Sequence, residues 1–79
     1  MKLFKLSQDI NTGYDTYDSV VVAAPNPESA KQILPNKYCV WGENYSPWCS
    51  STDEVTAEYL GEAVEDTEQG VILASFNAG

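Results

Sequence analysis

The sequence predicts an α+β fold: an antiparallel sheet of four to five strands with one short helix packed on one face. Three observations lead to this prediction. The 79 residues suffice for a single small domain, spanning residues 1–79. Most segments between turn residues are short and rich in valine, threonine and aromatic residues, which favour strands. One segment carries the start and stop signals of a helix. The predicted order of elements is β-β-α-β-β-β.

The first two predicted strands occupy the N-terminal third of the chain. Residues 1–8 mix apolar and polar side chains, as in an edge or half-buried strand. The segment DINTGYD then carries Asn, Gly and Asp, which favour a loop. Residues 18–24, DSVVVAA, form the clearest strand, because successive valines suit the pleated surface of a sheet. This apolar run predicts a central strand covered on both faces, or a strand covered by a helix.

Residues 25–35, PNPESAKQILP, predict a short helix with both ends marked. Asn26 can cap its start, and Pro35 ends it. Ala30 and Ile33 lie on one apolar stripe at helical spacing. Two helical turns are not stable alone in water, so we expect this helix to dock on the sheet.

Residues 36–50, NKYCVWGENYSPWCS, are the least regular part of the chain. KYCVW is a candidate strand, and GENYSP is a turn-rich loop. Large aromatic side chains help to build the core of a small domain, but Trp and Tyr beside such a loop are also typical of contact anchors. The pattern leaves both roles open. The candidate contact residues are Trp41, Tyr45 and Trp48.

Residues 54–70, EVTAEYLGEAVEDTEQG, contain six carboxylates and no Lys, Arg or His. Alternation with period two favours a strand, which would place Glu54, Glu58 and Glu62 on one face. A helix is the alternative, because Ser51 and Glu54 match a capping box. A helix would stack these glutamates at unfavourable i, i+4 positions. EDTEQG then predicts a hairpin turn, and GVILASFNA predicts the last strand.

The whole net charge of −8 resides in the second half of the chain. Residues 1–40 carry four lysines and four acids, whereas residues 41–79 carry eight acids and no base. Such a surface repels nucleic acid and anionic membranes, so its complement is a basic protein surface. A purely solvating role is the alternative, because charged side chains also protect strands from edge pairing. The candidate partner-binding acids are Glu54, Glu58, Glu62, Glu65, Asp66 and Glu68.

The composition argues against catalysis and metal binding. The chain has no His, which is the commonest general base and a frequent zinc ligand. Cys39 and Cys49 form no CxxC pair, and in a cytoplasmic protein we expect thiols, although a disulfide between them stays open. Asp15 and Asp18 lack the EF-hand pattern. We therefore predict a protein that is not an enzyme and has no metal or cofactor.

The N-terminus predicts a cytoplasmic location. MKLFKLSQD turns polar after six residues, so it lacks the apolar core of a signal peptide. No apolar run approaches the ~20 residues of a membrane-spanning helix.

Several segments resemble small proteins encoded by phages and prophages. These are KLFKLSQDINTGYDTYDSVVVAA, PESAKQI, WCSS, VTAEYLGEA and the ending GVILASFNAG. The resemblance implies action inside an infected bacterium. Phages encode many small acidic proteins that block host defence, including anti-CRISPR proteins that occupy the basic grooves of Cas effectors. The resemblance carries no functional residue over to this chain.

Two main hypotheses follow for the function, and a redox or metal enzyme is a third. In the first, the protein is a phage-encoded inhibitor and partial nucleic-acid mimic, which binds a basic surface of a host nucleic-acid-handling protein such as a CRISPR effector. In the second, it is a non-inhibitory interaction or structural module that forms homo-oligomers through the first or last strand. The sequence leaves the oligomeric state open.

Overall fold

The computed structural model describes residues 1–36, 39–42 and 46–77, and within them it has a four-stranded antiparallel sheet and one short α-helix. The sheet order places the first two strands at the centre and the last two at the edges. A 3₁₀ turn, Thr52–Glu54, precedes the third strand. The elements are β1 (Lys2–Ser7), β2 (Thr16–Ala24), α1 (Pro27–Lys31), β3 (Thr56–Glu62) and β4 (Gly70–Asn77).

Both N-terminal strands are central in the sheet. This agrees with the prediction for β2, whereas β1 is half-buried but is not an edge strand, because it pairs with both β2 and β3. β1 and β2 pair antiparallel, with Phe4 opposite Val22 and Leu6 opposite Val20. All four of these side chains are buried, because they share one face of the sheet. The valine-rich segment is therefore a central strand, as predicted, but it is not covered on both faces, because Ser19 and Val21 on the opposite face are only half-buried.

The helix begins as predicted and ends earlier. The Asn26 side chain accepts a hydrogen bond from the Ser29 amide at 2.8 Å, which caps the first turn. The amide of Gln32 donates to Ser29 O, and that of Ile33 to Ala30 O. These i→i−3 bonds tighten the chain after Lys31, so the helix spans Pro27–Lys31 only.

The segment before β3 corrects one prediction and decides between two alternatives. Cys39, Val40, Trp41 and Gly42 form no strand, so the candidate strand KYCVW is wrong in its described part; its first two residues lie outside the described residues. The capping box is real, but it caps the 3₁₀ turn and not a long helix. The chain from Thr56 to Glu62 is a strand, which decides between the two interpretations of the acidic segment.

The connection between the last two strands also differs from the prediction. β3 pairs with β1, and β4 pairs with β2, so the two strands lie at opposite edges of the sheet. Residues 63–69 are therefore not a hairpin turn but a loop that joins the two edges. The Ala63 amide donates to Met1 O at 3.0 Å and holds this loop against the start of β1.

The core lies on one face of the sheet. On β1 and β2 the alternate residues Leu3, Lys5 and Val21 are half-buried or exposed, so the opposite face is largely open. The buried residues of the two strands join α1 and the segment before β3 in a single hydrophobic cluster. Its members are Phe4, Leu6, Val20, Val22, Ala24, Ala30, Cys39, Trp48, Cys49 and Val55.

A buried amide links two loops beside this core. The Gln8 side chain, 6% exposed, donates to Asn11 O and Tyr17 O at 2.7 and 2.9 Å. Its oxygen accepts from the amides of Ile10 and Asn11. Asn11 in turn donates to Ser46 O and to Trp48 O. This network satisfies the buried side-chain amide of Gln8 and attaches the loop after β1 to the segment before β3.

Candidate interaction surface

The acidic side chains of β3 do not form one row. Glu58 lies opposite Lys5, and Glu62 lies opposite Lys2. Because neighbouring residues on β1 point to opposite faces, Lys5 and Glu58 lie on the open face, whereas Lys2 and Glu62 lie on the other. The expectation of a single glutamate face is therefore wrong. Both strand glutamates also have a lysine across from them.

A β-bulge causes this change of face. β3 advances two residues, from Tyr59 to Gly61, while β1 advances one, so Leu60 is the extra residue. Gly61 has φ +150°, which suits glycine. The bulge brings Glu62 onto the side of Tyr59, whose hydroxyl donates to it at 2.6 Å. This hydrogen bond to the carboxylate raises the pKa of Tyr59, with smaller contributions from burial and from the charge of Glu62.

Glu54 stabilises the 3₁₀ turn before β3 as part of its capping box. It closes the 3₁₀ turn, and one carboxylate oxygen accepts from the Ser51 amide and from the amide and hydroxyl of Ser50, at 3.0–3.2 Å. The Ser51 hydroxyl accepts from the Asp53 amide and completes the capping box. The Glu54 carboxylate is half-buried, and one of its oxygens accepts three hydrogen bonds within the turn.

The other three of the six candidate partner-binding acids form an exposed cluster in the loop between β3 and β4. We call Glu65, Asp66 and Glu68 the acidic turn; all three are exposed. The amide and the hydroxyl of Thr67 both donate to Val64 O, which fixes the loop locally. None of the three acids belongs to a strand, so no strand lysine lies opposite them in the sheet. Their charge faces solvent.

The predicted aromatic anchors have different environments. Trp48 is 1% exposed and part of the core, so it is not available as a surface contact. Trp41 is half-buried and packs against the same cluster. Tyr45 lies outside the described residues. The structure instead exposes Tyr59 (54%) and Phe76 (45%) on the edge strands, which sequence patterns did not single out.

These two exposed rings contact the central strands. Tyr59 packs edge-on against Phe4 with ring centroids 5.9 Å apart, and Phe76 contacts Tyr17 at 4.8 Å. The alternation of residues along each strand indicates which face of the sheet a ring lies on. It does not indicate which ring of a neighbouring strand it contacts, because that depends on the order of the strands in the sheet.

β4 is an uncharged edge. It carries no Lys, Arg, Asp or Glu, and its large apolar side chains are substantially exposed. We call these residues the apolar edge: Val71 (40% exposed), Ile72 (53%), Leu73 (68%) and Phe76 (45%). The sequence predicts this strand, whereas its position at an edge emerges only from the topology.

Both cysteines are buried free thiols. Burial raises the pKa of Cys39 and of Cys49, and the nearby Glu54 carboxylate raises the latter further. Reactive cysteines are exposed and have a lowered pKa, so these two thiols have the properties of core residues.

Within residues 1–36, 39–42 and 46–77, no group of three or more Cys, Asp or Glu side chains is placed to hold a metal ion. In the same ranges, no helix has the length and apolar character needed to cross a bilayer.

Comparison with known proteins gives one partial likeness. No protein-family model matches the chain, and no solved structure matches it. The chain is 34% identical over 64 residues to protein disulfide isomerase-like 1-4 of Arabidopsis thaliana. That alignment covers 81% of this chain but 10% of the plant protein, so the chain spans about a tenth of the length of the relative that it matches. This local likeness does not assign the chain to a family.

Proposed function

We propose that this protein is a non-catalytic, anionic interaction module whose acidic turn binds a basic surface of a partner protein. One observation carries the proposal: Glu65, Asp66 and Glu68 are exposed and lie outside the sheet, whereas the strand glutamates face lysines. In this proposal α1 packs on one face of the sheet and only supports the fold. The net charge of −8 gives the surrounding field the same sign.

The charges of the acidic turn would contribute more to association rate than to affinity. An exposed ion pair contributes only ~0.2–1 kcal/mol, so three such pairs make a weak complex. Opposite fields nevertheless raise the association rate and make it sensitive to salt. Val64, 80% exposed beside the acidic turn, adds an apolar contact that does not depend on salt. Binding should therefore combine strong salt dependence with a modest affinity.

We extend the proposal to a host target. The resemblance of the sequence to phage-encoded proteins suggests that the partner is a nucleic-acid-handling defence protein in the cytoplasm of an infected bacterium, such as a CRISPR effector. The DNA- or RNA-binding groove of such a protein is lined by Lys and Arg. An anionic turn on a small rigid domain has the charge needed to compete for that groove.

Disulfide chemistry is less well supported. The name of the plant relative suggests it, but Cys39 and Cys49 are ten positions apart and do not form the Cys-x-x-Cys arrangement of disulfide oxidoreductases. Both thiols are buried and their pKa values are raised, which disfavours the thiolate that attacks a disulfide.

Affinity capture from a bacterial lysate tests the proposal. The wild-type protein is immobilised and compared with a Glu65→Lys/Glu68→Lys variant and a matched control, Asp9→Lys/Asp18→Lys, which changes the net charge equally at exposed positions. We expect the wild type and the control to retain the same basic protein. The acidic-turn variant should lose it, and so should the wild type in ~0.5 M salt, where charges are screened within a few ångströms.

Equal loss in both double variants would show that net charge matters and the acidic turn does not. Capture that persists in the acidic-turn variant would refute the proposal. The host target is tested with the captured protein. If that protein is a CRISPR effector, it is purified, and its cleavage of DNA is measured in the presence of the wild type, the acidic-turn variant or the matched control.

A non-inhibitory module is the second candidate. The apolar edge favours it, because β4 is an edge strand with exposed apolar side chains and none of the charges on which the first proposal depends.

A further inference from the structure

The two edges of the sheet differ in their protection. An exposed strand edge has unpaired N–H and C=O groups that can pair with another chain, and natural proteins block it with charges and bulges. β3 carries Glu58, Glu62 and a bulge at Leu60. β4 has a bulge at Ile72 near its start. From Leu73 to Asn77 it carries no charge and no extra residue of its own, and the second bulge of this ladder lies on β2 at Asp18. This half of β4 is an unprotected edge.

We propose that β4 pairs with β4 of a second copy of this chain. The pairing would be antiparallel about a two-fold axis and would join the two sheets into one of eight strands. A two-fold contact uses the same patch on both copies, and a strand edge is complementary to itself in this arrangement. The inference does not depend on the proposed function, because none of the acidic turn lies in β4.

The charge distribution favours a second copy as the partner. Strands in a sheet are ~4.8 Å apart, so β3 lies ~14 Å from β4 in one copy, and the two β3 strands of the dimer lie ~34 Å apart. The Debye length at physiological salt is ~8 Å, so the glutamates of one copy are screened from those of the other. Two molecules of charge −8 can therefore meet at the edge where neither carries a charge.

The same reasoning selects the antiparallel orientation. The acidic turn immediately precedes Gly70, where β4 begins. A parallel pair would place the two acidic turns side by side. An antiparallel pair places them at opposite ends of strands that are ~25 Å long, again well beyond the screening length.

The side chains of β4 fit this contact. Leu73 and Ser75 lie opposite Val21 and Ser19 on the open face of the sheet. A two-fold axis perpendicular to the sheet keeps like faces together, so the exposed Leu73 of each copy would be covered by the other strand's side chains. The paired segment is short, and interfaces below ~1,200 Å² are weak, so we expect a dimer that forms at ~0.01–1 mM protein.

Sedimentation velocity measures the association. The wild type, Leu73→Lys and the matched control Val64→Lys are compared from ~5 μM to ~1 mM, a range that covers weak association. Both variants place a lysine at an exposed apolar residue and change the net charge equally. We expect the wild type and Val64→Lys to shift from monomer to dimer with the same midpoint. In Leu73→Lys the midpoint should rise at least tenfold. Ser75→Lys, at the neighbouring open-face position, should behave like Leu73→Lys.

Amide hydrogen exchange of the wild type locates the contact without any substitution. Within residues 73–77, the amides that point away from β2 should become protected as the protein concentration rises, whereas those of β3 should not change. Circular dichroism shows whether each β4 variant folds. If a variant does not fold, the hydrogen exchange of the wild type alone tests whether β4 is the dimer contact.

Three results would overturn the inference: a monomer at every concentration, a dimer that persists unchanged in both β4 variants, or β4 amides protected only after a separate peptide strand is added. Salt separates this inference from the proposed function. Added salt should leave the dimer intact or strengthen it, since it screens the residual repulsion, whereas it should abolish binding to a basic partner.

Discussion

The framework and the outer strands of this domain are built in different ways. We define the framework as β1, β2, α1 and the described part of residues 32–55, and the outer strands as β3, β4 and the loop 63–69. Every core residue lies in the framework. Among residues 56–76, whose side chains the structure describes, none is fully buried. The outer strands are attached to the framework mainly by backbone pairing with β1 and β2.

This difference indicates where stability and recognition reside. Buried side chains contribute most of the free energy of folding, so substitutions in the framework should be costly. Exposed side chains on a paired strand contribute little, so the outer strands can carry acidic and apolar residues that serve contacts with other molecules. The same substitution should therefore cost more free energy of unfolding in the framework than in the outer strands.

The largest effect is expected from Leu6→Ala. Leu6 is fully buried, and a buried Leu→Ala change costs ~2–5 kcal/mol through lost burial and the remaining cavity. The matched change Leu73→Ala, at a 68% exposed position, should alter the free energy of unfolding by less than ~0.5 kcal/mol. Urea denaturation measures both. Similar losses would mean that Leu73 is covered in solution even in the monomer.

A smaller loss is expected from Gln8→Ala. The change leaves two carbonyls and two amides at part-buried positions without their partner, and a fully buried unsatisfied group costs ~1–3 kcal/mol. Water entering the site would reduce this cost, so we expect a total of ~2 kcal/mol. Gln69→Ala, exposed in the loop, is the control and should be neutral. A neutral Gln8→Ala would contradict the network. Thermal unfolding followed by circular dichroism is sufficient.

Glu54→Ala compares two glutamates of the acidic segment. Loss of the capping carboxylate should cost ~0.5–2 kcal/mol. Glu58→Ala, at an exposed strand position, should stay within ~0.5 kcal/mol. Equal effects in chemical denaturation would show that the capping box adds nothing, and that both glutamates act only through their charge.

The smallest effect concerns pH. Burial raises the pKa of Cys39 and of Cys49 above the ordinary value of 9.0, so the folded state favours the thiols. This contribution is complete below the thiol pKa of the unfolded chain and is lost as pH rises through the higher value of the folded chain. Urea denaturation between pH 8 and ~10.5 should show a steeper decline in the wild type than in Cys39→Ser/Cys49→Ser, because serine does not titrate in this range. Parallel declines would mean that the thiols are accessible to water.

Local sequence signals predicted much of the framework and little of the surface. The valine run, the Asn26 cap and the Ser51–Glu54 capping box each act within a few residues, so their patterns are visible in the chain. The burial of Trp48 and the Gln8 network depend on contacts between segments about 35 residues apart, which no local pattern contains.

The candidate interaction surface was also predicted only where local sequence determines it. The exposed Glu65, Asp66 and Glu68 follow from a polar loop composition. The separation of Glu58 from Glu62 does not, because one extra residue at Leu60 changes the face of the strand.

Short-range chemistry thus specified the identity of the strands, the helix start and the excess of negative charge, since propensities, caps and composition belong to the chain itself. The order β3-β1-β2-β4 was decided by the packing of the whole domain. That order gives the acidic strand and the uncharged strand an edge each, because only two strands can be central in a sheet of four. It also separates a charged surface from an apolar one, a division that no stretch of the linear sequence reveals.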